Sequence, residues 1–353
     1  MQPEHDCIQL GHGGGGALSQ WLIRTLVVPG LNGGNAASNP ASNGVTALHD
    51  AALLQAPSGR LALSTDSYVV RPLFFPGGDI GRLAVIGSVN DLAMAGARPL
   101  ALSLGLIVEE GLPLATLERV IASIRAACAL CEVAVITGDT KVVERGNADG
   151  LFVNTTAIGV VEHSLAIGPP AVQPGDAVLV SGDLGRHGLA ILAARPELGV
   201  RTNLDSDLAP LQPSVQQLLQ AGLTLHCLRD LTRGGLAGAI DEIARDARCV
   251  IELEETAIPL HPAVRGACEL LGLDPLTMAN EGRMLVICPE PQADQALALL
   301  QRQQPEAARI GRVVRRTQQQ DLFDSLHPVK LRNALGVLRP LEVGRGEQLP
   351  RIC

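Results

Sequence analysis

Residues 61–67 (LALSTDS) run from apolar to polar and predict a buried strand that ends in side chains able to do chemistry. From 83 to 97, Leu83, Ile86, Val89 and Ala93 recur at helical spacing, which predicts an amphipathic helix. Strand patterns at 100–107, 133–137 and 151–161 follow, with a helix at 114–131 between the first two. The first half therefore reads as a mixed α/β domain with a non-alternating order. The run GPPAVQPGD at 168–176, with three prolines and two turn-type glycines, predicts an interdomain linker. Beyond it, strands at 177–182, 249–254 and 284–288 and helices at 233–246 and 291–303 predict a second α/β domain.

Two stretches fit neither period. Residues 30–46 are rich in Gly, Asn, Ser and Ala and predict a mobile loop. The terminal LEVGRGEQLPRIC predicts a flexible tail. The expected organisation is a Gly-rich segment over 1–45, a first domain over 46–165, a second over 166–340, and a tail over 341–353. A chain of 353 residues exceeds the size at which one core usually keeps growing, which agrees with two domains.

Composition narrows the class. Hydrophobic residues make up 46% but aromatics only 2%, so the cores must be built from Leu, Val, Ile and Ala. A net charge of −8, without a basic stripe or stacking aromatics, argues against nucleic acid as a partner. The start MQPEHDCIQL lacks the features of a secretion signal, and no run of 18 apolar residues appears. A cytoplasmic protein with no membrane partner is expected, and its eight cysteines are expected as thiols.

Four aspartates stand near strand ends or helix starts: Asp50 in HDAA, Asp66 in STDSY, Asp91 in VNDLAMAGA and Asp139 in TGDTK. Carboxylates gathered from several segments suit Mg²⁺ when substrate phosphates complete its shell, although each alone reads more readily as a turn or helix cap. GHGGGG at 11–16 could wrap phosphates or be a flexible entry, and it is not a Walker A motif. DLTRGGL at 230–236 reads as an anion site or a capped helix start. Lys141 as a buried lysine could balance phosphate charge, and Glu281 could act as a base; on pattern alone such residues are more often ordinary surface charges. Cys128 and Cys131 have redox or metal spacing but lie in an apolar helix pattern that favours core thiols, and His187 in GRHG is ambiguous. Cys353 differs, because a thiol ending a polar tail has no packing role and has the reach of a swinging arm.

These residues together resemble the hydrogenase maturation carbamoyl dehydratases, within the aminoimidazole ribonucleotide synthetase-like group of ATP enzymes. The resemblance covers nearly the whole chain. It rests on HGGGG at 12–16, the run from DSYVVRPLFFPGGDIG to LALS at 66–103, TGDTKVV at 137–143, DLTRGGLA at 230–237, DPLTMANEG at 274–282 and above all the terminal Pro350-Arg351-Ile352-Cys353. It implies a two-domain α/β fold whose first domain pairs with that of a second subunit in a homodimer, with ATP and Mg²⁺ in the cleft between domains. By resemblance Asp50, Asp66, Asp91 and Asp139 are metal and phosphate positions. Asn90, Thr137 and Gly138 join them around the nucleotide, and Lys141 and Glu281 act on the modified thiol. A carbamoyltransferase partner would load Cys353, ATP-dependent dehydration would give a thiocyanate, and an iron-carrying hydrogenase maturation scaffold would accept the cyanide.

Two other readings stay open. One is a phosphate-transferring relative acting on a free small molecule, such as a selenophosphate or aminoimidazole ribonucleotide synthetase; Cys7 precedes the Gly-rich loop but lacks the neighbouring lysine expected there. The other is a nucleotide-binding assembly scaffold whose tail docks a partner.

Overall fold

The computed structural model describes residues 6–32, 51–55, 57–317, 322–343 and 351–353. Asp50 and most of the Gly/Asn-rich run lie outside the described residues. The chain forms two compact units, Met1–Leu92 with Ala97–Glu162 and Cys353, and Ala93–Gly96 with His163–Ile352. Among the described residues no helix is long and apolar enough to cross a membrane.

The first unit opens with α1 (Ala17–Leu22), which continues through a π turn (Ile23–Val27) into α2 (Val28–Asn32). Then come β1 (Arg60–Tyr68), the short pair β2 (Phe74–Phe75) and β3 (Gly78–Asp79), α3 (Ile80–Met94), β4 (Arg98–Glu109), α4 (Leu114–Leu130), β5 (Val135–Val143) and β6 (Leu151–Val161). The larger sheet has the order β1-β6-β4-β5. Its only parallel pair is β4 with β5, which α4 connects. Asp79 starts α3 by accepting the Gly81 and Arg82 N–H groups at 2.8 and 3.1 Å, satisfying donors the first turn leaves free. The amphipathic expectation for this helix needs correction. Leu83, Ala84, Val85 and Ile86 are consecutive and all fully buried, so α3 is covered nearly all round.

Among the described residues, one face of this sheet is uncovered. Leu61, Leu63, Thr65 and Ser67 alternate outward from β1, with Leu61 and Leu63 60% and 71% exposed. The register aligns them with Val160, Ile158, Thr156 and Asn154 of β6, then with Gly105 and Ile107 of β4 and with Asp139 and Lys141 of β5.

The second unit carries β7 (Ala177–Val180), α5 (Arg186–Ala193), α6 (Gln212–Gln220), β8 (Cys227–Asp230), α7 (Gly235–Ala247), β9 (Cys249–Glu254), α8 (Pro262–Leu271), β10 (Met284–Cys288), α9 (Ala293–Gln301), β11 (Ala308–Arg316), α10 (Leu322–Leu326), β12 (Val329–Arg332) and β13 (Leu338–Pro340). The sheet order is β13-β12-β9-β11-β7-β10-β8. Helices cover both faces, so the central strands AVLV and MLVIC are apolar at every position. Val178, Val180, Leu285 and Ile287 pack with Leu236, Ile240 and Ile243 of α7. Leu179 and Val286 face Val215 and Leu218 of α6 and Leu300 of α9.

The DLTRGG turn is a packed helix start. Gly235 has φ +58, and a Cβ there would lie 2.5 Å from the Met278 carbonyl oxygen and 2.6 Å from that of Leu276. Gly235→Ala is expected to cost about 2 kcal/mol or more, from left-handed strain and this collision together. Denaturant unfolding of the full chain measures it.

Candidate active site

In the first unit, polar side chains gather where β1 meets α3. The Tyr68 hydroxyl donates to Asp66 at 3.3 Å and lies 3.3 Å from Ser88 Oγ, which is 2.5 Å from Thr155 Oγ1. Ser64 Oγ donates to Asp91, and Asn90 beside it is buried. Asp66 and Asp91 thus belong to the helix-covered side of the sheet.

Asp139 and Lys141 belong to the uncovered side. Lys141 is exposed rather than buried, and its Nζ lies 3.0 Å from Asp139 Oδ2. Both side chains are more than 60% exposed, so solvent screening leaves this pair little stabilising value in a lone chain. Gly138 fits because a Cβ would meet the Leu104 carbonyl oxygen, and Thr137 is half-buried beside it. The Gly-rich opening packs against this strand, since a Cβ on Gly13 would lie 2.5 Å from the Val142 nitrogen. Its backbone is tied down by Ser19, whose Oγ accepts Gly15 N–H at 2.9 Å and donates to the His12 carbonyl at 2.7 Å. The flexible-entry reading is replaced by a packed turn. Asp139 thus lies on the opposite side of the sheet from Asp66 and Asp91, and among the described residues no group of three His, Cys, Asp or Glu could hold a metal ion.

In the second unit, Glu281 is buried, not a surface charge. Asp207, also buried, accepts N–H groups from His187 at 3.1 Å, Glu281 at 3.2 Å and Gly282 at 3.0 Å. Glu281 Oε1 lies 4.0 Å from His187 Nε2, and the same nitrogen is 2.7 Å from the Ile352 carbonyl oxygen. Burial lowers the His187 pKa, against smaller raising effects of that carbonyl and of Asp207, so the ring is neutral at neutral pH. Arg186 reaches Asp183 at 2.6 Å, and Asp183 also pairs with Arg283 at 2.8 Å. The tail expected to be flexible ends in a docked segment. Ile352 is buried, Arg195 Nη2 donates to the Arg351 carbonyl at 2.9 Å, and the Cys353 carbonyl accepts Val69 N–H at 3.1 Å.

Sequence reasoning left His187 undecided and missed Ser206 and Asp207. The available signal was weak: the polar DSD at 205–207 resembles any loop, and only the fold brings it against GRHG and ANEG.

Residues 48–161 match the family model described as AIR synthase related protein, N-terminal domain, and residues 173–320 match its C-terminal domain. The two units together therefore define an AIR synthase related protein. Carbamoyl dehydratase HypE of Rhodobacter capsulatus is 45% identical over 349 residues, with 98% of each chain covered. HypE of Escherichia coli K12 is 45% identical over 350 residues, covering 98% of this chain and 99% of that one. A crystal structure of hydrogenase maturation protein HypE in complex with ATP matches with TM-score 0.87 at 45% identity, covering 98% and 99%. HypE from a HypE–HypF complex matches with TM-score 0.75 at 39% identity, covering 80% and 90%. The chain belongs to the carbamoyl dehydratase HypE family.

The remaining thiols separate by burial. Burial raises Cys128 and Cys227 to about 12 and Cys131, Cys268 and Cys288 to about 11, which keeps them protonated and unreactive at neutral pH. Cys7 and Cys353 are half-buried. Alkylation at pH 8, read by peptide mass spectrometry, is expected to modify Cys353 and Cys7 at least tenfold faster than Cys128 or Cys131. Comparable labelling of the Cys128 pair would return it to the list of reactive thiols.

Proposed function

We propose that this chain dehydrates a carbamoyl group carried on its own Cys353 to a thiocyanate, with ATP as co-substrate, for delivery as the cyanide ligand of a hydrogenase iron. The observation that carries this reading is the docked chain end. The residue before Cys353 is held by His187, and that imidazole lies 4.0 Å from the Glu281 expected to act on the loaded thiol. Membership of the carbamoyl dehydratase family supports the same chemistry.

The chemistry divides among this chain's own groups. The thiocarboxamide oxygen is a poor leaving group until it takes a phosphoryl group from ATP. One N–H proton leaves as that oxygen is phosphorylated, and the second leaves as the C–O bond breaks, the C≡N bond forms and phosphate departs with the oxygen. Glu281 serves as the base, and its burial at the docked end keeps competing water from it. Lys141 opposes charge on the transferring group. Asp66 and Asp91 on one side of the sheet and Asp139 on the other, with Asp50, offer hard oxygen donors that suit Mg²⁺; an ion there would take one or two of these carboxylates, not all of them, while phosphates supply the rest. Bound there, Mg²⁺ would neutralise phosphate charge; Asn90, Thr137 and Gly138 would line the nucleotide.

The uncovered sheet face supports a homodimer. Leu61, Leu63 and Ile107 are exposed on it, and burying a leucine contributes roughly 1.5–3 kcal/mol. A second copy over that face would also desolvate the Lys141–Asp139 pair and strengthen it. HypE has been crystallised with HypF, which supports a carbamoyltransferase that loads Cys353, and an iron-carrying maturation scaffold would receive the product.

Two experiments test this. Intact mass spectrometry after incubation with carbamoyl phosphate, the transferase and ATP is expected to find an adduct on the native chain that then loses the mass of one water. Cys353→Ala should bind ATP yet accept no adduct, and an adduct that forms and dehydrates on it would end the swinging-arm reading. In sedimentation the native chain should be dimeric at micromolar concentration and Leu63→Glu monomeric. A native monomer that turns over ATP would remove the dimer.

A further inference from the structure

The proposed reaction gives no task to His187, yet this fully buried imidazole is what touches the chain end. Its protonation can be read from its neighbours. The Ile352 carbonyl can only accept, so Nε2, 2.7 Å away, must carry a proton. On the other side Nδ1 lies 2.8 Å from Ser206 Oγ, which itself accepts Leu208 N–H at 3.1 Å. With the buried ring neutral and its proton on Nε2, Nδ1 is the acceptor and the serine hydroxyl donates to it. The neutral Nε2–H tautomer satisfies the whole chain Leu208 N–H to Ser206 to His187 to Ile352. The His187 backbone is fixed as well, because its N–H donates to buried Asp207.

The chain end meets this fixed donor in a shape it would not choose. Arg351 has φ +59, a region that side chains other than glycine seldom adopt. Its own carbonyl is held by Arg195, the next carbonyl by His187, and the Ile352 side chain is buried between neighbours. Consecutive carbonyls are thus gripped by donors of the second unit, and the residue after them is Cys353.

We propose that His187 is a positioning residue that clamps the C-terminal arm through the Ile352 carbonyl, holding Cys353 docked for dehydration, with Arg195 as a second grip. The clamp rests on the arm chemistry proposed above, but its first test does not require that chemistry to occur.

That test is the alkylation rate of Cys353 in the unmodified full-length chain, resolved by peptide mass spectrometry so that Cys7 is counted apart. Loss of one buried hydrogen bond should shift the docking equilibrium roughly five- to tenfold. His187→Phe, which fills the space without a donor, is expected to raise the Cys353 rate by about that factor. His187→Gln, whose side-chain amide can still donate, should return it towards the native rate. Arg195→Ala, at a half-buried site where folding is not at stake, should raise it about threefold. Unchanged Cys353 rates in both His187→Phe and Arg195→Ala would overturn the clamp, as would equal rates for His187→Phe and His187→Gln.

A second measurement uses chains already carbamoylated. Dehydration with ATP should slow about tenfold in His187→Phe and recover in His187→Gln, with ATP binding unchanged in both. A purely structural role would not separate the two variants. If the native chain takes the adduct but never dehydrates it, the dehydratase reading fails, while the alkylation rates still decide the clamp.

Discussion

The second unit depends on burying the carboxylate of Asp207. A buried carboxylate has to be compensated by donors, and here they are three backbone N–H groups from two distant segments, those of His187, Glu281 and Gly282. The start of α5 and the turn before β10 are thereby tied to one side chain. Gly282 is obligatory in that arrangement, since a Cβ would run into the Asp207 carbonyl oxygen. The neighbours are locked to match: Asn280 Oδ1 accepts Gly185 N–H at 2.7 Å, and Arg283 Nη2 meets Asp183 at 2.8 Å. Residues 280–283 are polar or glycine and wholly buried, and each of them is spoken for in this lattice of bonds. The orientation of Glu281 and of His187 follows from it.

The first unit solves a different problem. Its sheet separates chemistry by side, with Asp66 and Asp91 under the helices and Asp139 and Lys141 on the uncovered face beside Leu61 and Leu63. The separation follows from strand register, because parallel pairing of β5 with β4 sets Asp139 opposite Gly105 and Lys141 opposite Ile107. An exposed lysine–aspartate pair does little in water. The same pair under an apolar cover would be a strong field for phosphate, which is why the apolar and charged halves of that face make sense together.

Period and turn chemistry made the long elements readable. The strands at 61–67, 151–161, 249–254 and 284–288 and the helix at 114–131 stand within a few residues of where the pattern put them. Errors fell where burial is two-sided or elements are short. The helix α3 is buried nearly all round, so its period could not reveal one face, and β5 runs on to Val143 because pairing with β4 outweighs its polar composition. The short α5, α8, β12 and β13 offered too few turns or alternations to register. Site residues divided the same way. Cys353, Glu281 and the acidic positions could be singled out as proposed site residues by type and context, whereas Asp207 and Ser206 stand out only through contacts 20 and 19 residues or more away.

The energetics of the chain end explain why the working thiol should be there and not in the core. Docking the last three residues gains three hydrogen bonds at about 1 kcal/mol each and one buried isoleucine at about 2 kcal/mol. Against this stands about 1–2 kcal/mol of lost backbone freedom per ordered residue. The sum lies near zero, so the arm can leave and return without disturbing either core. Exposing Cys128 or Cys131 would instead require opening the packing of α4, and their burial holds the thiols protonated besides. On the proposed reading, a group loaded by one protein, transformed on this chain and handed to another would need a carrier whose docked and free states are close in free energy. Among the half-buried cysteines, Cys7 is anchored by strand-like pairing with Pro113, which leaves the thiol at the chain end to meet that requirement.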